Sequence, residues 1–210
     1  MQINPNIQTV AQGTFGVSWD GLVQGTVMPD PETRFSLSGG WLDPASTQSV
    51  WGGMGISENV PTMQLATPPT LPQPAQGGRV AIATNLTGGA TLLTLTGFSV
   101  FEQAHAMVNT PQSPVPLTDV YGQVMFHRLG SMARIVLQMD PTLAASLYDK
   151  PITQPVSWDF ANQRIIAFAT TALPVKLLRV YPSGCMTVSY ASGTGFATWN
   201  YNGAAAVVML

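Results

Sequence analysis

Residues 186–210 read MTVSYASGTGFATWNYNGAAAVVML. Met186, Val188 and Tyr190 alternate with Thr187 and Ser189, which is the two-residue period of a strand with one buried face. Ser192-Gly193-Thr194-Gly195 turns the chain into Phe196–Tyr201, and Asn202-Gly203 predicts a hairpin turn into Ala204–Leu210. That last stretch is apolar on both faces, so it must be central in its sheet or buried by a neighbour. The end of the chain therefore reads as an antiparallel meander.

The same pattern extends backwards. Arg164–Phe168 and Val175–Tyr181 read as strands, as do Val124–Arg128 and Ala133–Met139 around a Gly130-Ser131 turn. In Ala133–Met139, the residues Ala133, Ile135, Leu137 and Met139 share one face, while Arg134 and Gln138 share the other. One short helix interrupts them near 140–149. Asp140 can cap it, Pro141 suits its first position, and Leu143 and Leu147 lie four apart. Pro111, Pro114 and Pro116 predict an irregular loop, and Phe98–Val108 reads as strand or short helix. Val80–Ala83 and Leu92–Thr96 read as strands of a hairpin turned at Asn85–Gly89.

The N-terminal third is different. Thr14–Trp19 reads as a short strand before an Asp20-Gly21 turn, and Met28-Pro29-Asp30-Pro31 is a further break. Trp41 follows Gly39-Gly40, and Trp51 precedes Gly52-Gly53, a pattern that fits backbone passing closely over aromatic rings in tight bends or intersubunit contacts. Residues 61–76 hold five prolines and no charge, so they read as an extended connector or arm. The expected fold is thus mainly β, an antiparallel β-sandwich or barrel with the one helix near 140–149 and an extended Gly/Pro-rich N-terminal region. Residues 1–76 would supply strands and an arm, with the connector at 61–76, and 79–210 would form a compact β domain.

Charge is scarce. Eight Lys+Arg and ten Asp+Glu among 210 residues make 9%, against about 25% in an ordinary soluble domain. A net charge of −2 leaves no basic footprint for a phosphate backbone, so no nucleic-acid partner is expected. No window of 18 apolar residues exists for a membrane helix, and residues 1–13 show neither the basic nor the apolar region of a signal peptide. A compact monomer of 22.3 kDa would expose about 9,400 Å². Eighteen charges on that area leave one per about 500 Å², by the same scaling. So neutral a surface is expected to be covered in part by other subunits.

Chemistry is equally sparse. Cys185 is the one cysteine, which excludes an intrachain disulfide, and its place at the start of an alternating run reads as a small packed hydrophobe. Glu102 and His105 have the E-x-x-H spacing of a metal-binding helix, but a di-metal carboxylate site needs that unit twice and the chain has three Glu in all. His127, the other histidine, reads as a packed or surface residue on a strand. No dinucleotide fingerprint, P-loop or nucleophile elbow occurs, so no cofactor is expected. Asp119, Asp140 and Asp159 are the acids a β-sandwich hydrolase would draw on, and each also has a plain role in a turn or cap.

Several runs carry a resemblance. These are HRLGSMARI (127–135) leading to DPTLA (140–144), PQSPVP (111–116), LPVKLLRV (173–180), VSY (188–190) and ATW (197–199), and more loosely WGGMGISE (51–58). Together they resemble virion structural proteins of tailed bacteriophages and prophages, over about residues 98–210. Within that class a small β-rich chain without enzymatic motifs is most similar to capsid decoration, or cement, proteins. The resemblance implies a non-enzymatic role on the virion capsid surface after synthesis in the host cytoplasm. It also implies the major capsid protein as partner and self-association as trimer or dimer. On the bottom-up reading, Trp19, Trp41, Trp51, Pro68, Pro69 and Pro72 are the candidate contact residues, because aromatic anchors and extended arms dominate such interfaces. A tail, baseplate or receptor-binding module is the alternative, and a β-sandwich hydrolase the second.

Overall fold

The structure is a computed structural model of the full chain. It describes residues 21–28, 33–43, 46, 48–59, 79–82, 91–101, 107–110, 113–119, 122–151, 154–191 and 196–210. Outside these lie the expected strand at 14–19 with Trp19, the break at Pro29–Pro31 and the 61–76 stretch with Pro68, Pro69 and Pro72. The turn at 85–89 and the Glu102–His105 pair lie outside them too.

The described residues are mainly β, with one short α-helix, as expected. The strands are β1 (Leu37–Leu42), β2 (Gly55–Asn59), β3 (Arg79–Ile82), β4 (Gly97–Ser99), β5 (Val108–Thr110) and β6 (Ser113–Leu117). After them come β7 (Gln123–Arg128), β8 (Arg134–Gln138), β9 (Val156–Asp159), β10 (Arg164–Ala167), β11 (Lys176–Ala191) and β12 (Phe196–Met209). Helix α1 spans Pro141–Leu147, and Asp140 caps it by accepting from the amides of Thr142 and Leu143, as the Asp-Pro start predicts.

Strands β1-β3-β2-β4-β7 form a curled sheet whose ends meet through the antiparallel β1–β7 ladder. The described residues before the 61–76 stretch therefore join the same sheet as residues after it, since β1 pairs with β7 and β2 with β4. Alternation sorts this sheet's side chains onto two faces. Leu42, Ile56, Val124 and Phe126 line one cluster, and Phe98 and Met125 on the opposite face enter the largest cluster, with Leu37 packed against it. That cluster continues into Ile135 and Leu137 of β8, Ala144 and Leu147 of α1, and Trp158 and Ile165 of the β9–β10 pair.

The second large sheet has the order β11-β12-β8. Its middle strand is β12, so the strand that is apolar on both faces is indeed central. The expected hairpin at Asn202-Gly203 is not there, because β12 runs unbroken through both residues. Gly203 pairs with Cys185 at a register shift, and a Cβ on it would lie inside Thr187, 2.0 Å from Oγ1. The glycine is needed for close approach rather than for a turn. The hairpin reversal lies instead between Ala191 and Phe196, the last pair of the ladder.

Two other local expectations fail for stated reasons. Pro111 lies outside the described residues, and Pro114 and Pro116 belong to β6, paired with β5 through Ser113 and Leu117. Pro114 and Pro116, two apart, turn their missing donors to the edge away from β5, and there the Trp199 indole N–H donates to the Pro114 carbonyl at 3.2 Å. Leu92–Thr94 is a turn and not a strand, closed by the Thr94 hydroxyl donating to the Thr91 carbonyl at 2.8 Å. β3 pairs with β1 and β2 instead.

Residues 22–28 tie the second sheet together across its two outer edges. The Met186 amide on β11 donates to Leu22, and the Gln24 amide donates back to Met186. On β8, the Gly25 amide donates to Val136, the Val136 amide to Thr26 and the Met28 amide to Arg134. Val23 belongs to the curled sheet's cluster, Leu22 packs on a third cluster of Val136, Cys185, Ala205 and Val207, and Val27 packs on the largest.

Candidate interaction surface

The described surface carries ten large apolar side chains that are well exposed, with Phe35 and Leu93 at 92% and Trp41 at 54%. The others are Met28, Met132, Tyr148, Phe168, Leu178, Phe196 and Tyr201. Phe35 sits on the 3-10 turn Thr33–Ser36 that leads into β1, and Leu93 on the turn closed by Thr94. Trp41 shares a side of β1 with Leu37 and Gly39 but stands at the far end of the strand. Beside it Met125 and Gln123 lie against Gly39, where a Cβ would meet the Met125 sulfur at 3.0 Å and the Gln123 amide at 3.2 Å. An exposed indole on a rigid ladder loses little conformational entropy when covered, which is what an interface anchor requires.

Trp51 is placed otherwise. It is 4% exposed and its ring packs on Tyr190 with centroids 4.8 Å apart. Ser99 fixes the turn around it, its hydroxyl donating to the Trp51 carbonyl at 2.6 Å and accepting from the Met54 amide at 3.0 Å. The neighbouring Gly52 packs on the Phe101 ring, 2.4 Å from where its Cβ would be, so backbone does pass over an aromatic ring here. Of the six residues singled out in the sequence, Trp41 is the one among the described residues that faces solvent. Phe35 and Leu93 were missed. Phe35 lies between Arg34 and Ser36 and Leu93 between Leu92 and Thr94, and nothing local marks either apolar residue as exposed.

The acids named above divide. Asp119 accepts from the Ser49 hydroxyl at 2.5 Å. Asp140 and Asp159 meet across Arg164, at 3.3 and 3.9 Å, a convergence the sequence did not reveal. Both carboxylates are engaged by main chain, Asp140 at the helix cap and Asp159 by the amides of Ala161 and Asn162. The three charges therefore pin the start of α1 to the β9–β10 pair. Arg128 and Glu58 form a second ion pair, with two contacts of 2.8 Å and a third bond from Arg128 to Ser38 at 2.7 Å. These hydrogen bonds hold the Glu58 carboxyl below its usual range and raise Arg128.

Cys185 is buried, and burial pushes its thiol up, the opposite of an activated nucleophile. Among the described residues no three His, Cys, Asp or Glu side chains gather as a metal site would need, and no helix is long and apolar enough to cross a membrane. The chain matches no protein-family model, no curated protein and no solved structure.

Proposed function

We propose that this chain is a non-enzymatic structural protein of a phage virion. It binds the major capsid protein at the capsid surface, stabilises the head lattice as a decoration protein, and associates with copies of itself as trimer or dimer. The observation that supports this is the exposed apolar set, led by Trp41, on a chain in which 9% of all residues are charged. Side chains of that kind lose water on contact with a partner, and few charges must be desolvated with them.

The test mixes the purified chain with heads lacking it, then sediments and images them. Saturable occupancy of regular lattice positions and greater resistance of the heads to heat are expected. Trp41→Ala should weaken attachment by about 2 kcal/mol, near thirtyfold, with the melting temperature of the free protein unchanged. Absence of binding would overturn the reading and turn attention to tail and receptor-binding roles.

A further inference from the structure

His127 lies in a cross-strand row with Leu37 on β1 and Phe98 on β4. It is 3% exposed, and Phe98 beside it is wholly buried. Its Nδ1 lies 3.0 Å from the Ser36 hydroxyl, so the ring is what the Thr33–Ser36 turn closes upon. β4 fits tightly against the same residue, since a Cβ on Gly97 would sit 2.2 Å from the His127 carbonyl oxygen. The nearest charged groups along these strands, Arg128 on β7 and Glu58 on β2, belong to the opposite face and are spent on each other. From β1, β4 and the turn, no described charged side chain bears on the ring; burial lowers its proton affinity, and the hydrogen bond with Ser36 raises it by less.

We propose that His127 is an acid-sensitive latch: when it takes up a proton, the Thr33–Ser36 turn and the start of β1 come away from β7 while the β11-β12-β8 sheet stays closed. An imidazolium in this row is desolvated, with no carboxylate among the described residues to pair with, and the Ser36 hydrogen bond offsets only part of that cost. The cheapest way to hydrate it is to lift the turn, because Leu37, Ser38 and Gly39 are only partly buried, whereas Phe98 on the other flank is not exposed at all. Burial lowers the proton affinity of His127 in the closed form. The open form therefore binds the proton better, and the closed form is favoured above about pH 6.5 and loses ground below it. Phe35 rides on the same turn and would move with it. This device does not depend on capsid binding and is tested on the free protein.

The experiment follows amide-exchange protection of residues 33–40 and of β12 between pH 7.5 and 4.5, together with the His127 ring resonances. Protection at 33–40 should fall at least tenfold more than in β12, with the same midpoint as His127, below the ordinary histidine range. His127→Gln should abolish the differential and His105→Gln should keep it. Equal loss in both regions, a His127 titration that does not coincide with the loss, or an undiminished acid response in His127→Gln would each overturn the latch. If His127→Gln does not fold, the coincidence of the two wild-type midpoints decides.

Discussion

The side-chain carbonyl of Gln24 accepts the Val188 amide at 2.9 Å, joining residues 164 apart in the chain. The other end of the same amide donates to the Gly52 carbonyl at 3.2 Å. Gln24 is wholly buried, and one side chain thus links the 22–28 segment, the 51–54 turn and β11. A buried neutral amide can satisfy a donor and an acceptor at once, which no aliphatic side chain of that size does.

Gln24→Leu should therefore destabilise the protein by about 2–4 kcal/mol, since it strands the Val188 N–H and the Gly52 carbonyl in the interior. Chemical denaturation should show a lower midpoint with an unchanged slope. A loss under 1 kcal/mol would mean that water replaces the amide.

Glu58 and Arg128 make a bidentate pair in which the Arg128 side chain is 51% exposed and Glu58 9%. The exposed partner keeps the contribution near 1 kcal/mol. The folded carboxyl titrates below its ordinary 4.5, so this stability is present above that value and is lost as pH falls through the lowered one. Glu58→Gln should cost about 1 kcal/mol at pH 7 and flatten acid unfolding below pH 5, with the difference shrinking in high salt. Melting curves at several pH values check this.

Gly25 has φ +75° and would place a Cβ 2.3 Å from the Gly52 carbonyl carbon. Gly184 has φ +76° but open space around it. Gly184→Ala should cost only the left-handed strain, about 1 kcal/mol, and Gly25→Ala well over 3 kcal/mol because backbone must also move. Equal losses in the two melting temperatures would show that the segment yields.

Cys185 is 1% exposed, with its thiol raised by burial. Alkylation in native buffer should be slower than that of a free cysteine by several orders of magnitude, and should approach the global opening rate. Rapid labelling would mean that the Val136, Ala205 and Val207 cluster opens on its own.

Part of this was legible in the residues. The Asp140-Pro141 start, the alternation of Ala133 to Met139 and the central place of β12 depend on spacings within a few positions, and local backbone geometry enforces them. Pro114 and Pro116 misled because what decides them is an edge. They are tolerated because they face the edge away from β5, where their missing donors are not needed for that ladder, and the Trp199 indole, 85 residues away, donates to the Pro114 carbonyl. Leu92–Thr96 misled because the Thr94 hydroxyl bonds the Thr91 carbonyl and closes a turn there.

A mainly β chain with a capped helix, scarce charge and a buried last strand could be read from the residues, because composition and short-range periodicity carry those properties. Tertiary structure alone decided that Trp51 is core and Trp41 is surface, and that Asp140 and Asp159 share Arg164. It alone decided that Gly203 lies under Thr187 instead of turning a hairpin. Each of these turns on a contact between distant positions, Trp51 with Tyr190, Asp140 with Arg164 and Gly203 with Thr187, and neither composition nor spacing contains the position of the other partner.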